Sequence, residues 1–379
     1  MDDLQHDPIL APPQPGANPD PTGGVGLCLS GGGYRAMLFH VGALWRLMDS
    51  GLLASLTRVA SVSGGSITAG VLALAWDAIR QQGMAAFQER FVRPLRLMAD
   101  TTIDGGAVLG GIFSSGSIGQ RVAQAYADQL FGQRTLQHLP NEPRFIFTAT
   151  NLETGTLFRF SKPYARDWRV GEIKAPQFRI ADVVAASSAF PPVLSPFVLD
   201  VAPGDFAPRT GGEIADDRFR EDIALSDGGV YDNLGLEPVV KSCRTVWVSD
   251  GGGRLADDPT PPGDWVRQSK RVLDVIDHQV RNLRKLQIVG LYQSGGRDGA
   301  YWGIRTDIAD YRVAPVRPCP HDATLRIADI PTRLKRMDAA QQERLINWGY
   351  AVSDAALRSH GKLGGAAPSD FPYPASGIG

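Results

Sequence analysis

Two short apolar segments, each broken by small residues and followed at once by a helical repeat, constrain this chain more than any other feature. Val25-Gly26-Leu27-Cys28-Leu29-Ser30 runs into Gly31-Gly32-Gly33, and then into a segment with Ala36, Phe39, His40, Ala43, Leu44 and Leu47 on a helical spacing. Arg58-Val59-Ala60-Ser61-Val62 meets Ser63-Gly64-Gly65 and passes into an Ala- and Leu-rich helical run over 67–79. A strand-helix-strand-helix unit needs parallel strands with helical crossovers, which bring both turns out at one edge of the sheet. The expected fold is α/β, a three-layer α/β/α arrangement with a largely parallel central sheet.

Further along, Arg144–Thr150 and Thr156–Phe160 read as two strands around a turn at 151–155. Ile180–Ala189 reads as a short helix stopped by Pro191-Pro192, and Thr245–Ser249 as a late strand. The polar, Gly/Pro-rich stretch from Asp200 to Glu221 reads as an insertion loop. Residues 265–289 and 333–359 carry two long helical patterns. No internal repeat and no clean linker interrupt this, so one α/β domain over 23–360 is expected. A proline-rich flexible arm over 1–22 and a flexible Gly/Ala/Pro/Ser tail over 361–379 complete the expected organisation.

Composition narrows the function classes. The chain has 379 residues with 39 Lys+Arg against 40 Asp+Glu, a net charge of −1, which does not fit a protein built around nucleic acid. No apolar run approaches the ~20 residues of a spanning helix, and Met1-Asp2-Asp3 is acidic where a secretory leader would be basic. Three widely spaced cysteines, Cys28, Cys243 and Cys319, build neither a disulfide framework nor a metal site, so a cytoplasmic protein is expected. No HxxxH, CxxC or His/carboxylate cluster lies near either turn, so no metal and no cofactor are expected. The 43 Gly and 27 Pro make up about 18% of the chain against a usual ~12%, and the glycines belong at turns and close backbone approaches.

Ser63 sits where a strained strand-to-helix turn exposes a hydroxyl at a helix N-terminus, with Ser61 and Gly65 as the small neighbours that close packing demands. The Gly31–Arg35 turn (Gly31, Gly32, Gly33, Tyr34, Arg35) presents backbone N–H groups at a helix N-terminus. Such a turn suits a phosphate or the oxyanion of an acyl intermediate. Asp227-Gly228-Gly229 could present a carboxylate as base, and Asp250-Gly251-Gly252-Gly253 is locally as good a candidate.

These motifs in this order, with Ala185–Pro192 between elbow and aspartate, resemble the patatin-like phospholipases over about residues 24–238. The resemblance implies a Ser–Asp dyad: Ser63 as nucleophile, Asp227 as its activating partner in preference to Asp250, and the Gly31–Arg35 backbone as oxyanion hole. It further implies a phospholipid or lysophospholipid substrate and transient contact with a membrane surface. Ser61 and Ala36 stand where the family usually has Gly.

Several residues carry secondary expectations. Arg35 is expected to hold the glycine loop by a salt bridge rather than to meet a lipid phosphate. Gly105–Gly119 is a candidate lid, and Phe190–Phe197 a candidate lining for the acyl pocket. Val266, Leu273, Ile276, Val280 and Leu283 form a stripe expected to face the core, with Arg267, Lys270, Arg271, Arg281, Arg284 and Lys285 on other faces; a membrane-contact helix is the rival reading. His278, His321 and His360 follow Asp227, but none has a catalytic context, and His40 reads as a packing residue. Two other functions compete: a catalytically impaired lipid- or partner-binding module, and a dinucleotide-binding domain built on Gly31-x-Gly33-x-x-Ala36, for which Asp49 has the right count but precedes the second strand.

Overall fold

The computed structural model describes residues 23–103, 117–214, 216–361, 363–364 and 367–379. The arm expected over 1–22, and all but the last three residues of the candidate lid, lie outside them. The strands are β1 (Val25–Leu29), β2 (Leu56–Ser61), β3 (Arg144–Asn151), β4 (Thr156–Phe160), β5 (Tyr164–Asp167), β6 (Gly171–Lys174), β7 (Phe197–Leu199), β8 (Ile223–Asp227), β9 (Thr245–Asp250) and β10 (Asp298–Gly303). Their sheet runs β10-β9-β1-β2-β3-β4-β5-β6, with β8 also paired to β3 and β7 to β8. From β10 to β3 every pairing is parallel, whereas β4 to β8 add antiparallel strands beyond β3.

The alternation of side chains along the parallel strands makes the three layers. Leu27 and Leu29 of β1, Val59 of β2 and Trp247 of β9 join the large core on one face. Cys28, Ala60, Val246 and Val248 join a smaller core on the other, with Leu234, Leu236, Val239 and Ile288.

Helix α1 (Gly33–Asp49) follows the glycine turn and is buried from Gly33 to Leu47. It is buried all round because the sheet, α2 (Gly64–Gln82) and a late helix enclose it. The short helix Ile180–Ser187 is α3, the long helix Trp265–Gln293 is α4, and Ala339–Ser359 is α5. Helix α5 nests on α1 at backbone contact: a Cβ on Gly42 would lie 1.9 Å from the Ile346 carbonyl oxygen, and one on Gly349 2.0 Å from that of Phe39. A buried ion pair spans the two helices, with Arg46 Nε 2.7 Å from Asp354 Oδ1.

The structure corrects four expectations. Helix α5 begins at Ala339 with Asp338 as its N-cap rather than at 333, because residues 331–338 run as a loop packed on the site. The stripe expected to face the core from α4 is exposed: Leu273, Ile276 and Leu283 all point to solvent, and Ile288 is the buried residue of that helix. The tail is anchored, since Phe371 and Ile378 are buried and Asn347 Nδ2 donates to the carbonyls of Tyr373 and Gly377, both at 2.8 Å. Strands β5, β6, β7 and β10 were not expected from the sequence.

Candidate active site

Strand β2 ends at Ser61, and Ser63 makes the sharp turn into α2 with φ 51° and ψ −117°, a backbone region that L side chains rarely adopt. Such a residue costs of order 1–3 kcal/mol and persists only where its surroundings hold it. Here the Ser63 N–H donates to Ser187 Oγ at 3.0 Å, and Ser63 O accepts from Ser66 N at 2.8 Å. Ser66 Oγ donates to Ser61 Oγ at 3.0 Å and lies 2.8 Å from Ser187 Oγ, so the elbow is braced by a chain of buried hydroxyls. Ser61 therefore has a partner that a glycine would not supply.

The two turns converge. A Cβ on Gly31 would lie 3.3 Å from Ser63 Cβ, and one on Gly64 2.2 Å from the Gly33 carbonyl oxygen. Likewise, a Cβ on Gly65 would meet the Leu29 carbonyl oxygen at 2.4 Å. Only glycine fits Gly64 and Gly65, because α2 starts against the end of β1. Ala36 is tolerated for a complementary reason: the residue facing it is Gly251, where a Cβ would lie 2.7 Å from Ala36 Cβ.

Gly32 and Gly33, with φ 141° and 60°, turn the loop into α1. Among the described residues their N–H groups donate to no protein acceptor, and both residues line the cavity that contains Ser63. Two of the five expected donors are spoken for: Gly31 N–H donates to Asn233 O at 3.1 Å, and Tyr34 N–H to Arg333 O at 3.1 Å. The Arg35 side chain is buried and meets neither a carboxylate nor the cavity. Its nitrogens donate to Gly251 O at 3.2 Å, to Ile330 O and to Thr332 Oγ1 at 2.8 Å. Burial, with Arg281 and Arg305 nearby, lowers its pKa to about 10. Arg35 thus ties the glycine loop to the 250s loop and to residues 330–332. His40 supports the same loop from inside, with Nδ1 2.7 Å from Ser249 Oγ and Nε2 2.9 Å from Ser30 O, and burial holds its pKa down at about 4.

Asp227 ends β8, opposite Ala149 of β3. Its Oδ1 accepts from Gly229 N at 2.7 Å, and Asp227 lines the same cavity as Ser63. The loop is clamped by Asp227 N to Ala189 O at 2.9 Å and Gly228 N to Ser187 O at 3.2 Å. Gly228 must be glycine because a Cβ there would lie 2.4 Å from Thr148 O. Desolvation raises the Asp227 pKa to about 7, against the Gly229 N–H and the Ser63 hydroxyl, which lower it; Asp277 raises it and Arg281 lowers it. Asp250 is placed elsewhere: its Oδ1 accepts from Gly252 N at 2.9 Å and its Oδ2 from Tyr301 OH at 2.7 Å. Asp49, the dinucleotide candidate, accepts from Tyr350 OH at 2.7 Å at the far end of α1.

Ser63 and Asp227 open into a cavity of about 700 Å³. One wall is apolar, from Phe190, Pro191, Pro192, Val193 and Leu194 of the stiff segment singled out in the sequence. The facing wall comes from α4, with Lys270, Arg271, Asp277, His278 and Arg281. Sequence reasoning gave no site role to Ser187, Asn233, Asp277 or Arg281. Asn233 Oδ1 sits between the loops, 2.5 Å from where a Gly31 Cβ and 2.6 Å from where a Gly229 Cβ would lie. Ser187 and Asn233 fall inside segments that carried the resemblance, which was the available signal; Asp277 and Arg281 had none.

The model for the patatin-like phospholipase family matches residues 27–240. Among solved structures, human GIVD cytosolic phospholipase A2 is similar with TM-score 0.50 and 13% identity, covering 94% of this chain and 61% of that one. Its complex with methyl gamma-linolenyl fluorophosphonate gives TM-score 0.48 and 14% identity over 89% of this chain and 58% of that one. VipD from Legionella pneumophila gives 0.36 and 16% over 90% and 67%. At these identities the likeness concerns the fold alone, and the chain spans about three-fifths of the length of the human enzyme. No curated protein matches the sequence.

Proposed function

The chain belongs to the patatin-like phospholipase family, and from that premise we propose that it is a lipid acyl hydrolase that cleaves carboxylic esters through a Ser63–Asp227 dyad. The observation that carries this reading is the strained Ser63 elbow and the buried Asp227 carboxylate lining one cavity with Gly32 and Gly33, whose N–H groups have no protein acceptor among the described residues. Asp227 takes the proton as Ser63 Oγ attacks the acyl carbonyl. The oxyanion that forms is met by the N–H groups of Gly32 and Gly33, residues that line the cavity. Collapse of the tetrahedral intermediate expels the alkoxide, which takes the proton back from Asp227 and leaves Ser63 acylated. Water, deprotonated by the same carboxylate, then releases the fatty acid and restores the serine.

The two unlike walls support a phospholipid or lysophospholipid as substrate. Phe190–Leu194 offers an acyl chain an apolar surface, and Lys270, Arg271 and Arg281 offer cations to an anionic head group. A fluorophosphonate probe should label wild-type protein at Ser63 and fail on Ser63→Ala, with a water-soluble ester hydrolysed only by the former. Labelling that survives Ser63→Ala, or a folded wild type that neither reacts nor hydrolyses, overturns the reading in favour of a catalytically impaired binding module.

A further inference from the structure

Asn233 is a cavity residue whose side-chain chemistry the dyad leaves unused. Its backbone is already committed, because Asn233 O accepts from Gly31 N at 3.1 Å. Its side chain is not. The residue is buried and lines the cavity with Ser63 and Asp227, yet among the described residues neither end of its carboxamide has a hydrogen-bond partner in the protein. A buried carboxamide without a protein partner is matched instead by water or by a ligand. Two glycines make room for this side chain. Asn233 Oδ1 lies 2.5 Å from the point where a Gly31 Cβ would stand, and that point is 3.3 Å from Ser63 Cβ. It also lies 2.6 Å from the point where a Gly229 Cβ would stand, and that point is 3.0 Å from Asp227 Oδ1. A side chain at 31 or at 229 would displace the carboxamide, so both positions are held open for it. Its oxygen thus stands between the residue that carries the nucleophile and the residue that carries the base.

The two halves of ester hydrolysis make different demands on such a group. In acylation the attacking oxygen belongs to Ser63, which has one O–H to give up and is positioned by the chain itself. In deacylation the nucleophile is a water, with two O–H bonds and no tether. One of its protons goes to Asp227. The other needs an acceptor if the oxygen lone pair is to point at the acyl carbon. The free N–H groups of Gly32 and Gly33 are donors and cannot serve. A carboxamide oxygen beside Ser63 and Asp227 can, and being a far weaker base than a carboxylate it leaves the transferred proton to Asp227.

We propose that Asn233 Oδ1 is the second acceptor for the hydrolytic water, which makes Asn233 a catalytic residue of deacylation. This rests on the Ser63–Asp227 hydrolase reading above. The water gives one proton to Asp227 as its oxygen bonds to the acyl carbon and the carbonyl electron pair moves onto the oxyanion. The intermediate then expels Ser63 Oγ, which recovers that proton from Asp227. The second O–H, donated to Asn233 throughout, leaves with the carboxylic acid.

Methanol separates this role from a structural one, since it has a single O–H and needs no second acceptor. Full-length protein is given a water-soluble p-nitrophenyl ester in buffer containing methanol, and the ratio of methyl ester to free acid is read by chromatography. Asn233→Leu, similar in volume but without the amide, should raise that ratio about tenfold over wild type, the effect of one hydrogen bond made only by water. Burst kinetics of the same variant should show the first equivalent of p-nitrophenol released at close to the wild-type rate, followed by slower turnover. Asn233→Ala, made alongside in case leucine disturbs the fold, should raise the ratio in the same direction. A ratio unchanged in both variants overturns the proposal whether or not their rates fall, because an equal loss of both reactions makes Asn233 a brace between the loops or an oxyanion donor. A wild type that forms neither product sinks the hydrolase reading and this inference with it, whereas an active wild type whose variants leave the ratio unmoved sinks this inference alone.

Discussion

Helices α4 and α5 carry equally clear helical repeats in the second half of the chain, and they meet opposite fates. Fourteen of the 21 residues of α5 are buried, against one of 29 in α4. The difference lies in the small residues. Gly349 lets α5 approach α1 until backbones touch, with Gly42 making the matching gap. Helix α4 has Leu, Val and Ile on an apolar face that is exposed among the described residues, and it is held at its C-terminal end by Ile288, Leu291 and Tyr292. A periodic stripe specifies that one face is apolar; complementary shape on a neighbour decides whether that face is inside. One helix thus supports the floor of the site, and the other contributes a polar wall.

If that division is right, chemistry resides in the strand-end loops and α4 only adjusts it. The largest effect expected is therefore from Asp227→Asn, which should lower kcat/KM for ester hydrolysis by about 10⁴ or more, as loss of an activating carboxylate does elsewhere. Asp250→Asn, and Ala at His278, His321 and His360, should each keep most of the activity. His278 is the informative control, because it lies on the cavity wall; if His278→Ala is as inactive as Asp227→Asn, α4 supplies the base and the comparison fails.

Next in size is packing. Gly349→Leu must push α5 off Phe39 O, from which even a Cβ would be 2.0 Å, and should destabilise by about 3 kcal/mol or more in urea unfolding. A variant as stable as wild type would show that α5 does not bear on α1 as described.

The pH profile tests the adjusting role. Asp227 must be ionised to accept the serine proton, so kcat/KM should rise with pH around a midpoint near its pKa of about 7 and level off above it. Because the folded protein holds that proton more tightly than the unfolded chain, the same group makes stability fall as pH rises from the ordinary 3.8 towards 7. Arg281→Gln should move the activity midpoint up and Asp277→Asn should move it down, since the first removes a charge that favours the carboxylate and the second one that opposes it. Movement in the same direction for both would exclude α4 as an electrostatic influence. The smallest effect should come from Leu286→Ala, at an exposed position of α4, whose stability should stay within about 0.5 kcal/mol of wild type by chemical unfolding; a larger loss would mean that this face is already covered in solution.

Much of this was legible in the residues. β1 and β2 were strong because short apolar runs end in glycine or serine and meet long helical repeats, and local pattern is enough there. Ser63, Asp227 and the glycine loop were legible because their chemistry demands small residues at fixed places. Strands β5, β6, β7 and β10 were not, since they have three to six residues and take their identity from pairing rather than from alternation. The tail was misread because Gly, Ala, Pro and Ser look flexible in isolation, whereas the anchoring partner, Asn347, lies on a distant helix.

The sequence by itself determined the order of strand, turn and helix and the need for glycine at 64, 65 and 228, because each follows from local sterics, while the pairing of the serine elbow with Asp227 came from the family resemblance. Only the tertiary structure decided which N–H groups of the glycine loop are taken up, and that Asp250 is held by Tyr301 while Asp227 lines the cavity that Ser63 lines. It also decided which of two similar helices is buried. Those outcomes depend on what a distant segment places opposite each residue: Asn233 and Arg333 take up Gly31 and Tyr34, and the 185–189 segment clamps the aspartate. Hydrogen-bond competition and shape complementarity between segments far apart in the chain leave no trace in the local pattern of either one.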